Sequence, residues 1–114
     1  MPPFIVQVVY PNVSDATFNY DHYLQVHMPL AEKVWRPHGL IGYRALKIVA
    51  TAPKNDPPPY TVMCLLEFPD RKSWDDCIAV AAKDLVPDIP NFSNKEPVFL
   101  IGEQFAGSVG VSRK

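Results

Sequence analysis

Two segments of this chain are apolar on both faces of the β-strands that they would form. In residues 60–68 (YTVMCLLEF), every second residue beginning with Tyr60 is apolar, and Met63 and Leu65 point to the opposite face. Residues 4–10 (FIVQVVY) repeat this almost continuous apolar run. A sheet with helices on one face and water on the other alternates apolar and polar residues instead. Since a monomer rarely exposes an apolar sheet face, we predict a homodimer that buries it.

The order of the predicted elements defines the fold class. The predicted strands are residues 4–10, 40–51, 60–68 and 98–106, and the predicted helices are residues 20–37 and 71–83. Residues 84–96 are expected to be irregular. This βαββαβ order predicts an α+β, ferredoxin-like fold, with a four-stranded antiparallel sheet and two helices on one face. We expect a single domain over residues 1–106 and a flexible tail over residues 107–114.

Charge and cysteine content exclude several classes of protein. The formal net charge is −1, from 11 Lys and Arg against 12 Asp and Glu, so the basic excess that nucleic acids require is missing. Cys64 and Cys77 lack the spacing of a zinc or redox motif, and each lies in an apolar run, which favours buried thiols. No apolar run approaches the ~18 residues of a membrane span, and the N-terminal residues lack the basic region of a signal peptide. We therefore expect a cytoplasmic protein without nucleic-acid or membrane partners.

One histidine lies where it could carry chemistry. In the first predicted helix, His27 occupies the middle of the apolar stripe that faces the sheet. Pro29 follows two residues later, and a proline inside a helix removes a hydrogen bond and kinks the helix, which opens space beside the imidazole. Two interpretations remain: a core histidine bonded to a strand, or a general acid and base. Tyr20 and Tyr23, on the same helical face, are either ordinary aromatic core or a phenol donor and a flat pocket wall.

Three further polar residues, Gln7, His22 and His38, lie in or beside the predicted strands and helices. Gln7 interrupts the apolar run of the first strand and could be a polar group in a cavity. His22 and His38 fall off the apolar stripe or at the helix end, and we expect both to be solvated. His22 and His27 are five residues apart, so they do not share a helical face as metal ligands at i and i+4 do, and we expect no metal site. Motifs for nucleotide binding and serine hydrolysis are missing, and we expect no cofactor.

Two blocks of the sequence resemble the EthD-domain family, named for ethyl tert-butyl ether degradation. Residues 18–30 (FNYDHYLQVHMPL) are similar to the family's opening signature, an aromatic and acidic cluster followed by His-x-Pro-Leu. Residues 88–103 (DIPNFSNKEPVFLIGE) are similar to its closing segment, with Pro-Asn-Phe before the last strand. The resemblance implies a dimeric α+β barrel, and it singles out His27 and the aromatic residues before it. One departure is His22, which stands where the family often has an aromatic residue.

The pattern and the resemblance together define a set of candidate site residues. His27 is the candidate catalytic residue. The candidate substrate-binding residues are Gln7, Tyr20, Tyr23, Leu30 and Phe92. Leu30 ends the His-x-Pro-Leu motif and Phe92 ends the Pro-Asn-Phe turn, so these two residues enter the set through the resemblance.

The sequence leaves three functions open. The first is a cofactor-independent enzyme that acts on a small aromatic or polyketide-like molecule between helix and sheet. In that enzyme His27 moves a proton during cyclisation, dehydration, decarboxylation or oxygenation. The second is a non-catalytic protein that binds a small molecule or assists a degradation or oxidation pathway. The third is a haem or metal binder through His27. Product formation, tight binding without conversion, and a haem absorption band or bound metal distinguish the three.

Overall fold

The computed structural model describes residues 3–108, which form a four-stranded antiparallel sheet with its helices on one face. The strands are β1 (Phe4–Pro11), β2 (Gly42–Lys47), β3 (Tyr60–Phe68) and β4 (Val98–Glu103). Their order across the sheet is β2-β3-β1-β4, and each neighbouring pair is antiparallel. This is the ferredoxin-like α+β topology, so the predicted fold class is confirmed.

Two helical stretches connect the strands. The first stretch consists of α1 (Tyr20–His22), a π-helical turn (Tyr23–His27), α2 (Met28–Trp35) and a 3₁₀ turn (Arg36–His38). The second consists of α3 (Arg71–Asp84) and a 3₁₀ segment (Val86–Asn91). Both predicted helices are therefore present, and the first one contains a wider turn near its middle.

Local signals in the sequence determine where the helices begin and end. Asn19 accepts a hydrogen bond from the backbone N–H of His22 at 3.1 Å, and Asp70 accepts one from that of Ser73 at 2.8 Å, as N-cap residues do. The first stretch ends at Gly39, whose φ of 117° is in the left-handed region. A Cβ at Gly39 would also lie 2.6 Å from Ser73 Oγ, so only glycine fits there.

The hydrophobic core lies between the sheet and the helices. Val6 of β1 and Leu66 of β3 pair across the sheet on the helix side, and both are fully buried. Trp35 of α2 donates a 2.9 Å hydrogen bond from its indole N–H to the carbonyl of Cys77 in α3. The rings of Trp35 and Trp74 pack edge to face, with centroids 6.1 Å apart. These buried aromatic contacts hold both helices against the same face of the sheet.

The opposite face of the sheet carries mainly apolar side chains, with Gln7, Arg44 and Glu67 among its polar ones, and the core that contains the helices does not extend to it. The apolar side chains on this face, here called the open sheet face, are Ile5, Val9, Leu46, Met63, Leu65, Val98 and Leu100. Three of them lie on the edge strands and are well exposed, Leu46 at 40%, Val98 at 47% and Leu100 at 44%. The prediction that the central strands are apolar on both faces is confirmed.

The two edge strands are shorter than predicted because an edge strand extends only as far as its partner pairs with it. β2 pairs with β3 alone, and their last backbone hydrogen bond runs from the N–H of Ile48 to the carbonyl of Thr61 at 3.0 Å. β4 pairs with β1 alone, and its last residue, Glu103, lies opposite Phe4, the first residue of β1. Residues 104–108, which follow Glu103, are exposed.

Four further sequence-based expectations concern residues 84–96, the C-terminal tail, the two cysteines and membrane-spanning helices. Residues 84–96, predicted to be irregular, contain the 3₁₀ segment Val86–Asn91. The predicted tail at residues 107–114 falls mainly on residues 109–114, which lie outside the described residues. Cys64 and Cys77 are free and buried. Within residues 3–108, each helix is too short or too polar to cross a membrane.

Candidate active site

A small cavity lies between the sheet and the helices. Its wall includes Tyr23, His27 and Met28 from the first helical stretch, Cys64 and Leu66 from β3, and Val86 and Ile89 from the 3₁₀ segment. The cavity has a volume of about 40 Å³. That space holds about three water molecules. Most of the wall is apolar, and His27 contributes the group whose ordinary pKa lies nearest to neutral pH.

His27 is held in place by a carboxylate and two aromatic rings. The residue is only 7% exposed, and its Nδ1 lies 3.0 Å from Oδ2 of Asp88. Its ring stacks on Tyr23 with centroids 5.6 Å apart, and the centroid of Phe92 lies 4.5 Å away. Because the Nδ1–H group donates a hydrogen bond to the carboxylate, the neutral imidazole carries its proton on Nδ1, and Nε2 is its hydrogen-bond acceptor. Among residues 3–108, Nε2 has no hydrogen-bond partner.

Asp88 connects the first helical stretch to the 3₁₀ segment that follows α3. Its Oδ1 accepts hydrogen bonds from Nε2 of His22 and from Nδ2 of Asn91, each at 2.9 Å. Its Oδ2 accepts the hydrogen bond from His27. The Asp88 side chain is 14% exposed, so these three bonds replace most of its hydration. One carboxylate therefore orients two imidazole rings.

The backbone beside His27 adapts to Pro29 without breaking. Pro29 has no N–H to donate to the preceding turn, and the turn before it is π-helical. In that turn the N–H of Met28 donates to the carbonyl of Tyr23, five residues earlier. The sequence predicted a kink at this point, and the structure has one wide π-helical turn there. Turns of this kind are frequent at functional sites.

Burial and the neighbouring carboxylate shift the pKa of His27 in opposite directions. Burial lowers the pKa of His27 below its ordinary 6.5, and the hydrogen bond and charge of Asp88 raise it by a smaller amount. Burial also raises the pKa of Asp88, but hydrogen bonds from Asn91, His22 and His27 outweigh this and hold it below its usual range. At neutral pH the pair is therefore a carboxylate and a neutral imidazole. Nε2 of His27 is then free to accept a proton.

The free energy of unfolding is expected to fall as the pH drops below 6.5, the ordinary pKa of histidine. The unfolded chain protonates His27 near that pH, whereas the folded chain protonates it only at lower pH. Between the two pKa values the unfolded state binds more protons, so this contribution to stability is complete above pH 6.5 and is lost as the pH falls through the folded pKa. Urea unfolding of wild type and His27→Gln on both sides of this pH measures the effect. His38→Gln, at an exposed position, should behave as wild type, and equal slopes for wild type and His27→Gln would contradict the expectation.

The other polar groups of the cavity wall stay protonated at neutral pH. Burial raises the pKa of Tyr23, and likewise that of Tyr10, far above the usual value of 10.0. Burial also raises the pKa of Cys64, whose thiol lies beside the Tyr23 hydroxyl, to about 11. These groups are hydrogen-bond donors at neutral pH, whereas the neutral imidazole of His27 has a nitrogen that can accept a proton.

The structure brings together only part of the predicted site. His27 and Tyr23 line the cavity, and Phe92 supports the His27 ring from behind the wall. Leu30 is half-buried and packs against the core without lining the cavity. Tyr20 is 39% exposed, and its hydroxyl lies 3.4 Å from Oγ1 of Thr61 on the protein surface.

Contrary to prediction, Gln7 does not face this cavity. It lies opposite Leu65 and Leu100 in the sheet, and its Nε2 is 4.0 Å from Sδ of Met63. Successive side chains of a strand point to opposite faces. The residues directly before and after Gln7 in the chain face the helices, so Gln7 itself faces the other way. It is a polar group within the open sheet face.

Two polar residues of the site were missed or misplaced by sequence analysis. Asp88 was not among the candidates, and His22 was expected to be solvated. In the structure His22 donates to Asp88, and its ring lies 6.3 Å from that of Phe92. The available signal was an acidic residue between Pro87 and Pro90, because two prolines three residues apart stiffen the backbone around it.

The two histidines and Asp88 form a hydrogen-bonded group. His22 and His27 each donate a hydrogen bond from one ring nitrogen to the carboxylate of Asp88. Within the part of the chain that the structure describes, no group of three or more His, Cys, Asp or Glu side chains is arranged to hold a metal ion.

The fold and this site define a ferredoxin-like α+β protein with a buried histidine–aspartate pair. Neither a family model nor a curated protein matches the sequence. An EthD-like protein from Ralstonia eutropha has a similar structure, with 22% identity and a TM-score of 0.84 over 96% of this chain and 97% of that one. An ethyl tert-butyl ether degradation family protein from Bacillus halodurans has 22% identity and a TM-score of 0.67, over 92% of this chain and 100% of that one.

A third similar structure is that of a protein described as dimeric. It is described as a dimeric ferredoxin-like protein from an uncultured marine organism, with 12% identity and a TM-score of 0.56 over 96% of this chain and 94% of that one. The chain therefore has the fold of EthD-like and dimeric ferredoxin-like proteins, in agreement with the resemblance seen in the sequence.

Proposed function

We propose that this chain is a cofactor-independent acid–base enzyme that acts on a small aromatic or polyketide-like molecule. The proposal is carried by the 3.0 Å hydrogen bond between Nδ1 of His27 and Oδ2 of Asp88 at the wall of an apolar cavity. This bond orients the imidazole and leaves Nε2 as the proton acceptor. The charge of Asp88 then stabilises the imidazolium that forms when Nε2 takes up a proton.

The proposed chemistry begins with removal of a proton from a carbon atom beside a carbonyl group. Nε2 of His27 accepts the proton, and the electron pair of the C–H bond forms an enolate. The hydroxyl of Tyr23 stays protonated and can donate a hydrogen bond to the enolate oxygen. In cyclisation the enolate carbon attacks a second carbonyl carbon, and the imidazolium returns the proton to the new alkoxide. In dehydration the enolate expels a hydroxyl group, which leaves as water with that proton. In decarboxylation the enolate forms instead when the C–C bond to a carboxylate breaks and CO2 leaves, and a protonated His27 then supplies a proton to the carbon. Oxygenation of the carbanion needs dioxygen as the oxidant that accepts its electrons.

The proposed working unit is a cytoplasmic homodimer paired through the open sheet face. This face is apolar, and two proteins of similar fold are described as dimeric. The buried free thiols of Cys64 and Cys77 suit a reducing compartment. Pairing at the open sheet face leaves the His27 cavity on the other side of the sheet, so each chain keeps a cavity of its own.

A non-catalytic binding protein is the second candidate, because most of the cavity wall is apolar. The cavity measures about 40 Å³. An engineered cavity of roughly 150 Å³ in another protein is known to bind benzene. A ligand of this chain therefore has to displace part of the wall, which suits slow release as well as catalysis. Haem binding through His27 gains no support, because a macrocycle is larger still.

Replacing His27 with asparagine is expected to slow proton exchange in an enolisable ketone. The probe is acetophenone in deuterated water, and NMR measures deuterium incorporation at its methyl carbon. A positioned general base contributes about 10² to 10⁴ in rate, so a decrease of this size is expected. Circular dichroism checks that the His27→Asn chain is folded.

The matched control for this experiment is His38→Asn. His38 is exposed and lies outside the cavity wall, so this variant should exchange ketone protons at the wild-type rate. Equal rates in wild type and His27→Asn would remove the acid–base proposal. Specific binding of acetophenone without exchange that depends on His27 would favour the binding protein instead.

A further inference from the structure

A second cleft lies directly outside the His27 cavity. The outer cleft has a volume of about 340 Å³. The residues that line it are Val86, Ile89, Pro90, Glu96, Pro97 and Phe99. Three of these, Val86, Ile89 and Phe99, also line the inner cavity. These three side chains therefore form a wall that the two spaces share.

Two of the three shared side chains lie on one side of a short helical segment. Val86 and Ile89 are three residues apart in the 3₁₀ segment, and side chains at this spacing in a 3₁₀ helix lie on the same side. Asp88 anchors the segment to His22 and His27, and the buried Phe92 follows its end. Val86 is 47% exposed, so its side chain can move without displacing the core.

The charges around the two spaces disfavour an anionic ligand, and the apolar wall of the inner cavity disfavours any ion. Glu96 lines the outer cleft, and the carboxylate of Asp88 lies behind the ring of His27. Among residues 3–108, neither space is lined by a lysine or an arginine. An anionic ligand would meet these two carboxylates, and any ion would lose its hydration in the apolar inner cavity. The ligand class that fits both spaces is therefore neutral.

The volumes show why the shared wall has to move. The inner cavity of about 40 Å³ does not hold an aromatic ring, whereas the outer cleft of about 340 Å³ does. Small-molecule sites measure roughly 300 to 1,000 Å³. A ring that reaches His27 from solvent through this cleft has to occupy both spaces. It does so only if the shared side chains turn aside.

We propose that neutral one-ring aromatic molecules reach His27 from the outer cleft by displacing Val86 and Ile89, and that these two side chains set the size of the ligand. The inference rests on the proposed function only for what His27 does once the ring arrives. The movement of a ring past Val86 and Ile89, here called the passage, is a binding step, so it is tested without turnover.

Two methionines supply a test with an internal control. Met28 lines the inner cavity, whereas Met63 lies on the open sheet face. In a chain with methyl-labelled methionine, titration with benzene or phenol is expected to shift the NMR signal of Met28 and to leave that of Met63 unchanged. Benzoate and benzylamine, which carry a charge on a similar ring, are expected to leave Met28 unchanged at the same concentrations.

Variants of the shared wall test the passage directly. Ile89→Ala and Val86→Ala are expected to lower the dissociation constant of the two-ring probe naphthalene by about tenfold or more, since each removes methyl groups from the wall. Ile89→Trp is expected to abolish the response of Met28 to benzene. Ile78→Ala, at an exposed position of α3 outside both spaces, is the matched control and should behave as wild type. Val86→Ala alters a half-exposed residue, so the test stands even if Ile89→Ala does not fold.

The outcomes separate this inference from the proposed function. The passage is overturned if Ile89→Trp leaves the response of Met28 to benzene unchanged, or if neither alanine variant strengthens the binding of naphthalene. A shift of Met63 alone, or no shift with any neutral probe, also overturns it. If the wall variants act as expected but His27→Asn exchanges ketone protons at the wild-type rate, the passage stands and the acid–base function falls. If exchange depends on His27 but binding is insensitive to the wall, only the passage falls.

Discussion

Asp88→Asn is expected to lower His27-dependent proton exchange of acetophenone by about 10² to 10⁴. An amide still fits beside Nδ1 of His27, but it carries no charge to stabilise the imidazolium, and its NH₂ group favours the wrong imidazole tautomer. The pKa of His27 should also fall further, because the charge and hydrogen bond of Asp88 now raise it. Deuterium incorporation measures the rate, and an NMR titration of the His27 ring measures the pKa.

Asp84→Asn is the matched control for this prediction. Asp84 is the last residue of α3 and is exposed, so its replacement makes the same chemical change close to the site without touching His27. It should leave both the exchange rate and the pKa of His27 at their wild-type values. A folded Asp88→Asn chain with an unchanged exchange rate would show that the carboxylate does not support catalysis.

Leu100→Asp is expected to convert the proposed dimer into a monomer. Leu100 lies in the open sheet face on the edge strand β4 and is 44% exposed, so a single chain tolerates aspartate there. In a dimer paired through this face the carboxylate is buried without a partner. We expect the dissociation constant of the dimer to rise by about 100-fold or more. Light scattering should show a fall from twice the chain mass to 12.8 kDa.

Two further variants make this test specific. Leu46→Asp places the same charge on the other edge strand, β2, in the open sheet face, and should also dissociate the dimer. Leu24→Asp, at a 62% exposed position of the first helical stretch, adds the same charge away from the sheet and should leave the dimer intact. A wild-type chain that scatters as a 12.8 kDa particle, or dissociation by Leu24→Asp alone, would contradict pairing through the open sheet face.

The strands illustrate how far local pattern predicts this fold. β3 is found at Tyr60–Phe68, the range predicted, because its apolar run is bounded by Pro59 and Pro69. β2 and β4 are shorter than predicted, because the neighbouring strand determines where an edge strand stops pairing. The pattern of residues identifies a strand, and its hydrogen-bonded partner sets its length.

The site shows the same division for side chains. Helical spacing predicted that His27 and Tyr23 face the sheet, and both line the cavity. Helical spacing could not reveal Asp88, which is 61 residues away from His27 in the chain. The two meet because the 3₁₀ segment after α3 packs beside the π-helical turn. Gln7 was predicted to be a polar group of the cavity because of its polarity alone. The alternation of side chains along β1 places it on the open sheet face instead.

The sequence by itself determined the α+β fold class, the second apolar face of the sheet and the histidine that faces the core. Each of these follows from the period of a helix or a strand, which is a local property of the chain. Only the tertiary structure decided the partner of His27, the tautomer of its ring, the volume of the cavity and the side chains that close it. These depend on distances between segments that are remote in sequence, and close packing of the core sets those distances.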